Sequence, residues 1–405
     1  GGCKGTTGPS SVNPETGKPY GGSFPEITIS DMVDVQKLLL EELGIAHLHG
    51  VIGGSAGGLQ VLDWCCRYPD QVENAVCIAA AGSLSAQALS FDIVARNIIM
   101  ADPSWDDGHY YENGSPEKGL SLARMIGHIT YLSKESMDIK FGRERKEDAD
   151  SGQFNTDFQV ESYLNYQGKS FVERFDANSF LYITAAMNSF ALADEGKGLE
   201  EVFSKTSSRF LIVSVSSDWL YPEDQSLELA ENILRAGKDV TLCRLDAPFG
   251  HDSFLLENDD LSGAIESFFS KKDEQAEPSA PDPDLEKEYD IIDTFIGDAA
   301  SVIDLGCGDG SFLKRLRDKN GINGHGIDID INSIIACSAN GIPALQMDLD
   351  NDLGIIPDST YDCAVLSRTL LEIHKPHQVL NEMLRIADAG VVSFPNFANW
   401  RHRAR

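Results

Sequence analysis

Long uncharged apolar runs are missing from this sequence. No stretch of about 18 such residues occurs, and no basic segment leads into an apolar core near residue 1, so neither a membrane-spanning helix nor a secretory leader is expected. Basic charge is scarce as well: 33 Lys and Arg stand against 64 Asp and Glu, a net charge of −31 at pH 7. That deficit excludes sequence-independent attachment to nucleic acid or to an anionic membrane, both of which need a positive surface. It does not identify a substrate, since an acidic surface serves solubility and an anionic substrate needs only a local basic patch. The 8 cysteines form no C-x-x-C pair and sit mostly in apolar surroundings, so buried free thiols are expected and no metal site. A cytoplasmic protein is the default reading.

What the chain does have is enough length, 405 residues at 42% apolar content, for two domains with separate cores. Between Ser270 and Asp290 the composition turns to prolines and charges without aliphatic periodicity, which reads as a linker. The expected units are a first domain over 1–270, a linker over 271–288 and a second domain over 289–405. In the first, an apolar strand, glycine turn and helix recur, as in Leu48 to Ile52 followed by Leu59 to Tyr68. Strands at Phe210 to Val215 and Val240 to Leu245 come later. In the second, strands are expected at 301–305, 323–328, 343–347, 361–366 and 389–394, separated by helices, which argues a parallel, doubly wound sheet. Residues of about 104–190 read as helical pieces, Gly119 to Leu132 and Phe180 to Leu192, around a polar stretch from Arg143 to Asp157. They fit a helical lid over an active site or an ordinary helical subdomain.

Val51-Ile52-Gly53-Gly54-Ser55-Ala56-Gly57-Gly58 matches G-x-S-x-G between an apolar strand and a helix, the setting of a nucleophile elbow in an α/β-hydrolase fold. The turn is tight enough that its neighbours must lack side chains, and it directs the Ala56 N–H at a reacting carbonyl oxygen as half of an oxyanion hole. Gly-rich turns also serve close packing or phosphate binding, so the motif alone leaves those open. A serine hydroxyl needs a base and an orienter, expected in the chain order Ser, Asp, His. Asp218 follows one strand and His251 the next, each at the C-terminal end where α/β sheets collect active groups. Taken alone, Asp218 could be a helix cap and His251 a loop histidine. Together with Ser55 they form a candidate catalytic triad.

Gly1 to Ser11, Asn13-Pro14, Thr16 to Tyr20, Phe24-Pro25 and Asp31-Met32-Val33 resemble signature segments of the homoserine O-acetyltransferases (MetX). So do the elbow, Ala123 to Ile126, Arg174 to Ser179 and Gly250-His251-Asp252. The resemblance implies acyl transfer from acetyl-CoA to the homoserine hydroxyl in methionine biosynthesis. It implies that Arg124 holds the homoserine carboxylate and Asp252 its ammonium group, and a zwitterion indeed needs one fixed cation and one fixed anion. Leu220 stands where succinyl-CoA-using relatives resemble one another in having an arginine, so acetyl-CoA is the expected donor. Ala56 and Leu59 depart from the methionines common in the family's elbow, a change of pocket shape. A homodimer is an open expectation. Leu48 opens the elbow strand where such folds have several strands ahead of it, Gly1 is not a methionine, and the second domain shows fewer strands than its type. Both domains are therefore expected to be truncated.

Ser301 to Gly310 runs from a strand into the turn Gly306-Cys307-Gly308-Asp309-Gly310, and Asp328 ends the next strand. This D-x-G-x-G-x-G pattern resembles the Rossmann-like class I S-adenosylmethionine-dependent methyltransferases, with Asp304, Gly306, Gly308 and Gly310 in the loop, Asp328 on the ribose and Asp348 near the adenine. Gly306 to Leu316, Asn323 to Asp330 and Pro395 to Arg401 resemble the MetW family of methionine biosynthesis. No residue there declares itself a methyl-transfer base; His374 and His377 read as a helix-start loop. Serine as acceptor, succinyl as donor, simple ester hydrolysis and an active methyltransferase in the second domain all stay open.

Overall fold

The computed structural model describes residues 5–146, 158–193, 196–270 and 283–394. Thr28 and Asp31 form a reciprocal capping box that opens α1 (Ile29–Glu42). β1 (Leu48–Gly54), α2 (Ala56–Arg67) and β2 (Val72–Ile78) build the elbow unit. The chain then leaves the sheet for α3 (Ala86–Met100), α4 (Glu117–Tyr131), α5 (Lys134–Lys140), α6 (Gln159–Val172), α7 (Ala177–Asn188) and α8 (Leu199–Phe203). It returns through β3 (Arg209–Val215), α9 (Glu223–Arg235), β4 (Val240–Leu245) and α10 (Asp259–Phe269). The later residues form α11 (Pro283–Ile296), β5 (Ser301–Leu305), α12 (Ser311–Asn320), β6 (Asn323–Asp328), α13 (Ile331–Ala339) and β7 (Ala344–Gln346). They end in β8 (Tyr361–Ser367), α14 (Pro376–Ile386) and β9 (Ala387–Ser393).

The strands form one nine-stranded sheet in the order β1-β2-β3-β4-β7-β6-β5-β8-β9, with every pairing parallel. Helices cover both faces, so strands such as β3 read as continuous apolar runs rather than alternating ones. The sheet passes from the first half of the chain to the second at β4 and β7, joined by the register pair Leu242 and Leu345 and by the Arg244 N–H donating to Gln346 Oε1 at 2.7 Å. Buried Leu242, Ile327 and Leu345 belong to one continuous apolar core. A shared parallel sheet puts the C-terminal ends of all nine strands along one edge, where ligand sites of such sheets lie.

Most expected strands are present within a residue or two. β2 was not anticipated: Glu73 and Asn74 break its apolar run, yet Asn74 is fully buried, donating to His49 O (2.6 Å) and accepting from Arg209. α11 begins at Pro283, so residues 283–288 of the expected linker are helical. Residues 271–282, Cys3, the 147–157 part of the polar stretch and the Pro395 to Arg401 segment lie outside the described residues. α4 and α7 occupy the two anticipated helical stretches, though α7 stops at Asn188. No helix among the described residues is long and apolar enough to cross a membrane.

Candidate active site

Ser55 adopts φ 54° and ψ −123°, a strained conformation for a residue with a side chain. Its N–H donates to Ile78 O on β2 (2.9 Å), which anchors the turn to the sheet. A Cβ at Gly53 would collide with the Gly57 backbone, one at Gly54 with Phe254 and one at Gly58 with Ala80, so these three glycines are steric requirements, whereas Gly57, two residues after Ser55, has open space where a Cβ would be. Ala56 opens α2 and supplies one of the N–H groups that a helix start leaves without an intrahelical partner.

Asp218 and His251 are both buried, and His251 Nδ1 donates to Asp218 Oδ2 at 2.7 Å. The other carboxylate oxygen accepts the N–H groups of Leu220 (2.9 Å) and Tyr221 (3.0 Å). Three donors hold the carboxylate in place, and a proton on Nδ1 leaves Nε2 as the basic nitrogen. The imidazole is clamped by Tyr221, stacked at 5.3 Å, and by the edge of Phe254 at 5.6 Å. Gly250 makes this possible: at φ +79° it passes so close to Tyr131 O and Ser133 N that no Cβ fits.

The Ser55 hydroxyl makes no hydrogen bond to His251 among the described residues; its neighbour is the Tyr221 hydroxyl. Burial pushes the Tyr221 phenol up, and the nearby Ser55 hydroxyl partly offsets that rise. Tyr221 Oη is nonetheless buried without a partner of hydrogen-bonding geometry. Tyr221 thus touches both Ser55 and His251, a link that sequence order did not reveal. Its only trace in the sequence is its place three residues after Asp218.

Ser55 opens into a cavity of about 90 Å³ whose walls include Phe91 and Asp92 of α3, Tyr131 of α4, Phe180 of α7, Leu220 and Tyr221. Burial lifts the Asp92 carboxyl to about 6, against the opposing pull of Arg96. Sequence reading missed Asp92 and Tyr131 because each is one of several polar residues along its helix and stands in no motif. Leu220 does line this cavity, whereas Arg124 and Asp252 are not among its walls. Arg124 lies between Phe171 (4.6 Å to the ring) and Tyr131 (5.3 Å), with its Nε buried and unpartnered. Burial raises the Asp252 carboxyl, while His251 and Arg124 act in the opposite direction. The two form no ion pair with each other among the described residues, so each has capacity for a ligand of opposite charge.

In the second half, Gly306, Asp328 and Asp348 line a separate cleft of about 310 Å³ with Met347, Leu349 and Ile373. The Gly308 N–H donates to Asp328 Oδ2 (2.9 Å) and the Asp330 N–H to Asp328 Oδ1 (3.0 Å). Gly308 has φ +53° with open space where a Cβ would be, whereas a Cβ on Gly310 would meet Cys337 Sγ at 2.9 Å. Asp304 is not among the cleft's walls. It is buried in β5 with Oδ1 unpartnered, and burial, then the nearby Asp328, lift its carboxyl to about 7. Asp348 accepts from the Asp350 N–H and from Asn351 within its own turn. His374 is exposed and bonded to Asp350, as suits a helix-start loop. No group of three or more His, Cys, Asp or Glu side chains among the described residues is placed to hold a metal ion.

Residues 2–258 match the family profile described as alpha/beta hydrolase fold, and residues 286–405 match that of methionine biosynthesis protein MetW. The bifunctional methionine biosynthesis protein MetXA/MetW of Rhodopirellula baltica is 40% identical over 98% of this chain and 66% of its own length. The homoserine O-acetyltransferase of Solidesulfovibrio magneticus is 52% identical over 67% of this chain and 69% of its own. The solved structure of esterase E22 superposes with a TM-score of 0.61 at 30% identity, covering 65% of this chain and 73% of that one. The chain spans about half to two thirds of the length of the first curated relatives it matches. An elbow serine, a buried Asp–His pair and these matches together establish that the chain belongs to the homoserine O-acetyltransferase (MetX) family of the α/β-hydrolase fold, joined to a MetW domain.

Proposed function

We propose that this protein transfers an acetyl group from acetyl-CoA to the hydroxyl of L-homoserine through an acyl-Ser55 intermediate. The observation that carries the reading is the buried 2.7 Å bond between His251 Nδ1 and Asp218 Oδ2 beneath a strained serine elbow. His251 Nε2 takes the Ser55 proton as Oγ attacks the thioester carbonyl, and the Ala56 N–H donates to the developing oxyanion. The C–S bond breaks, and the thiol leaves with the proton that His251 returns. Homoserine then gives its hydroxyl proton to His251, attacks the acyl carbon and restores free Ser55. Arg124, held between two rings, grips the acceptor carboxylate, and Asp252 meets its ammonium group. Leu220 offers no cation to a succinyl carboxylate, which favours the acetyl donor.

The cleft of the MetW domain fits an adenosine-type ligand such as S-adenosylmethionine: Gly308 leaves open space, Asp328 stands at the end of β6 to meet ribose hydroxyls, and Asp348 borders the same cleft. Such a ligand supplies an electrophilic methyl group when bound. Among the described walls of that cleft the carboxylate–imidazole pair is Asp350 with His374 at 3.2 Å, and its imidazole is exposed to solvent rather than buried beside a nucleophile as that of His251 is, which favours binding over methyl transfer there.

Thiol release from acetyl-CoA, measured with and without homoserine, tests the first reading. Acceptor-dependent release supports transfer. The likeness to esterase E22 favours hydrolysis as the second reading, and equal release without acceptor would support that instead.

A further inference from the structure

We propose that Asp92 selects the acyl donor: its carboxylate, set in the wall of the cavity beside Ser55, turns away acyl groups that end in a carboxylate and leaves short neutral ones acceptable. The inference rests on Ser55 being the acylated residue. Asp92 lines the cavity into which the Ser55 hydroxyl opens, and it is the one charged side chain among that cavity's described walls. The remaining walls are apolar or neutral, from Leu84, Phe91 and Ile126 to Phe180, Met187 and Leu220. Arg124 and Asp252, the charges suited to a zwitterionic acceptor, are absent from those walls, which separates an acyl-receiving side of Ser55 from an acceptor side.

Among the described residues no ion pair neutralises Asp92, although Arg96 attracts its carboxylate. In the amide orientation that satisfies both its partners, Asn188 donates to Asp92 Oδ2 at 2.6 Å and to Thr184 O at 3.1 Å. An amide donor steadies a carboxylate but carries no counter-charge. Arg96, one helical turn along α3, borders the neighbouring outer cleft with Trp105 and Tyr182 and forms no ion pair with Asp92 among the described residues. Burial raises the carboxyl only to about 6, so it is ionised in neutral and alkaline solution. A second carboxylate brought into so small and poorly hydrated a space meets like-charge repulsion that water would have screened. Exclusion of this kind is repulsive selectivity and works beside the missing cation at Leu220.

The test compares acetyl-, butyryl- and succinyl-CoA on the intact protein with homoserine as acceptor. Turnover of acetyl-CoA checks the acyl-transfer reading by itself. Butyryl and succinyl groups have chains of similar length and differ in the terminal charge, so their ratio isolates the effect of that charge, and its change on substitution of Asp92 isolates the role of Asp92. The wild-type protein is expected to favour butyryl-CoA in kcat/KM by about tenfold or more. Asp92→Asn, which keeps the shape, is expected to raise the succinyl-to-butyryl ratio by a similar factor. Equal rejection of butyryl- and succinyl-CoA by the wild type would mean that size alone selects the donor, and would overturn the proposal. An unchanged ratio in Asp92→Asn would overturn it as well. Should that variant fail to fold, the same ratio is read in Asp92→Ser, with the same outcomes.

Discussion

The two halves of this chain place a site at the same edge of the same parallel sheet, yet they use that edge differently. At the ends of β1, β3 and β4 the groups are reactive and interlocked: a strained serine, a carboxylate held by three donors, and an imidazole clamped between rings. At the ends of β6 and β7 the carboxylates of Asp328 and Asp348 accept backbone N–H groups, and among the described residues there no serine elbow stands beside a buried Asp–His pair. On the proposed reading, one stretch of the edge changes covalent bonds and the other holds a ligand. The shared position follows from parallel topology, and the difference in chemistry follows from what each loop carries.

The contrast breaks most sharply at Asp218. Asp218→Asn loses the hydrogen bond that fixes the His251 tautomer, and acyl transfer should fall by about 10⁴-fold. Binding of S-adenosylmethionine in the second cleft, followed by calorimetry, should be unchanged; a parallel loss would mean that the protein had unfolded.

Arg124 comes next. Arg124→Met should raise the KM for homoserine by about 10- to 100-fold, while acyl-enzyme formation from acetyl-CoA without acceptor stays within a few-fold, because the grip is on the second substrate. A loss confined to the acylation step would assign Arg124 to the donor instead.

On the other side of the comparison, Asp328→Ala removes the carboxylate that ends β6 and should weaken S-adenosylmethionine binding by about tenfold or more with acyl transfer unaffected. Wild-type affinity retained in that variant would argue against the ribose contact.

Gly250→Ala and Asp92→Asn act on stability. A side chain at Gly250 enters a backbone region that glycine alone tolerates and strikes the α4–α5 connection, so thermal unfolding should reveal a loss of roughly 3 kcal/mol. Asp92 acts with the opposite sign. Its folded-state pKa of about 6 lies above the ordinary 3.8, so the native state binds more protons between these values. Stability therefore falls as pH rises from about 4 to about 6 and stays lower above. Asp92→Asn should raise the melting temperature at pH 8, by an amount equivalent to roughly 1–3 kcal/mol, and leave it nearly unchanged at pH 4. A variant destabilised equally at both values would show that the carboxylate serves packing through Asn188.

Much of this was legible in the sequence because the relevant constraints are local. The elbow needs glycine at fixed offsets from Ser55, such as Gly53, and strands buried on both faces read as apolar runs, as Phe210 to Val213 of β3 does. Order along the chain then selected Asp218 and His251. What stayed hidden depends on tertiary contact. β2 carries a fully buried Asn74 that resembles a break until His49 and Arg209 are seen to satisfy it. Tyr221 and Asp92 matter through the side chains they meet across the cavity. The junction of β4 with β7, which joins the halves into one sheet, has no sequence signal, since an edge strand looks the same whether or not a neighbour pairs with it.

The central claim is that Ser55 carries the acyl group. It is tested most directly by incubating the protein with acetyl-CoA in the absence of homoserine and mapping the modified peptide by mass spectrometry. The account predicts one acetyl group on the peptide containing Ser55, released when homoserine is added and absent in Ser55→Ala. Acetyl transfer to homoserine that persists in Ser55→Ala, or a label on another residue that homoserine discharges, would contradict it.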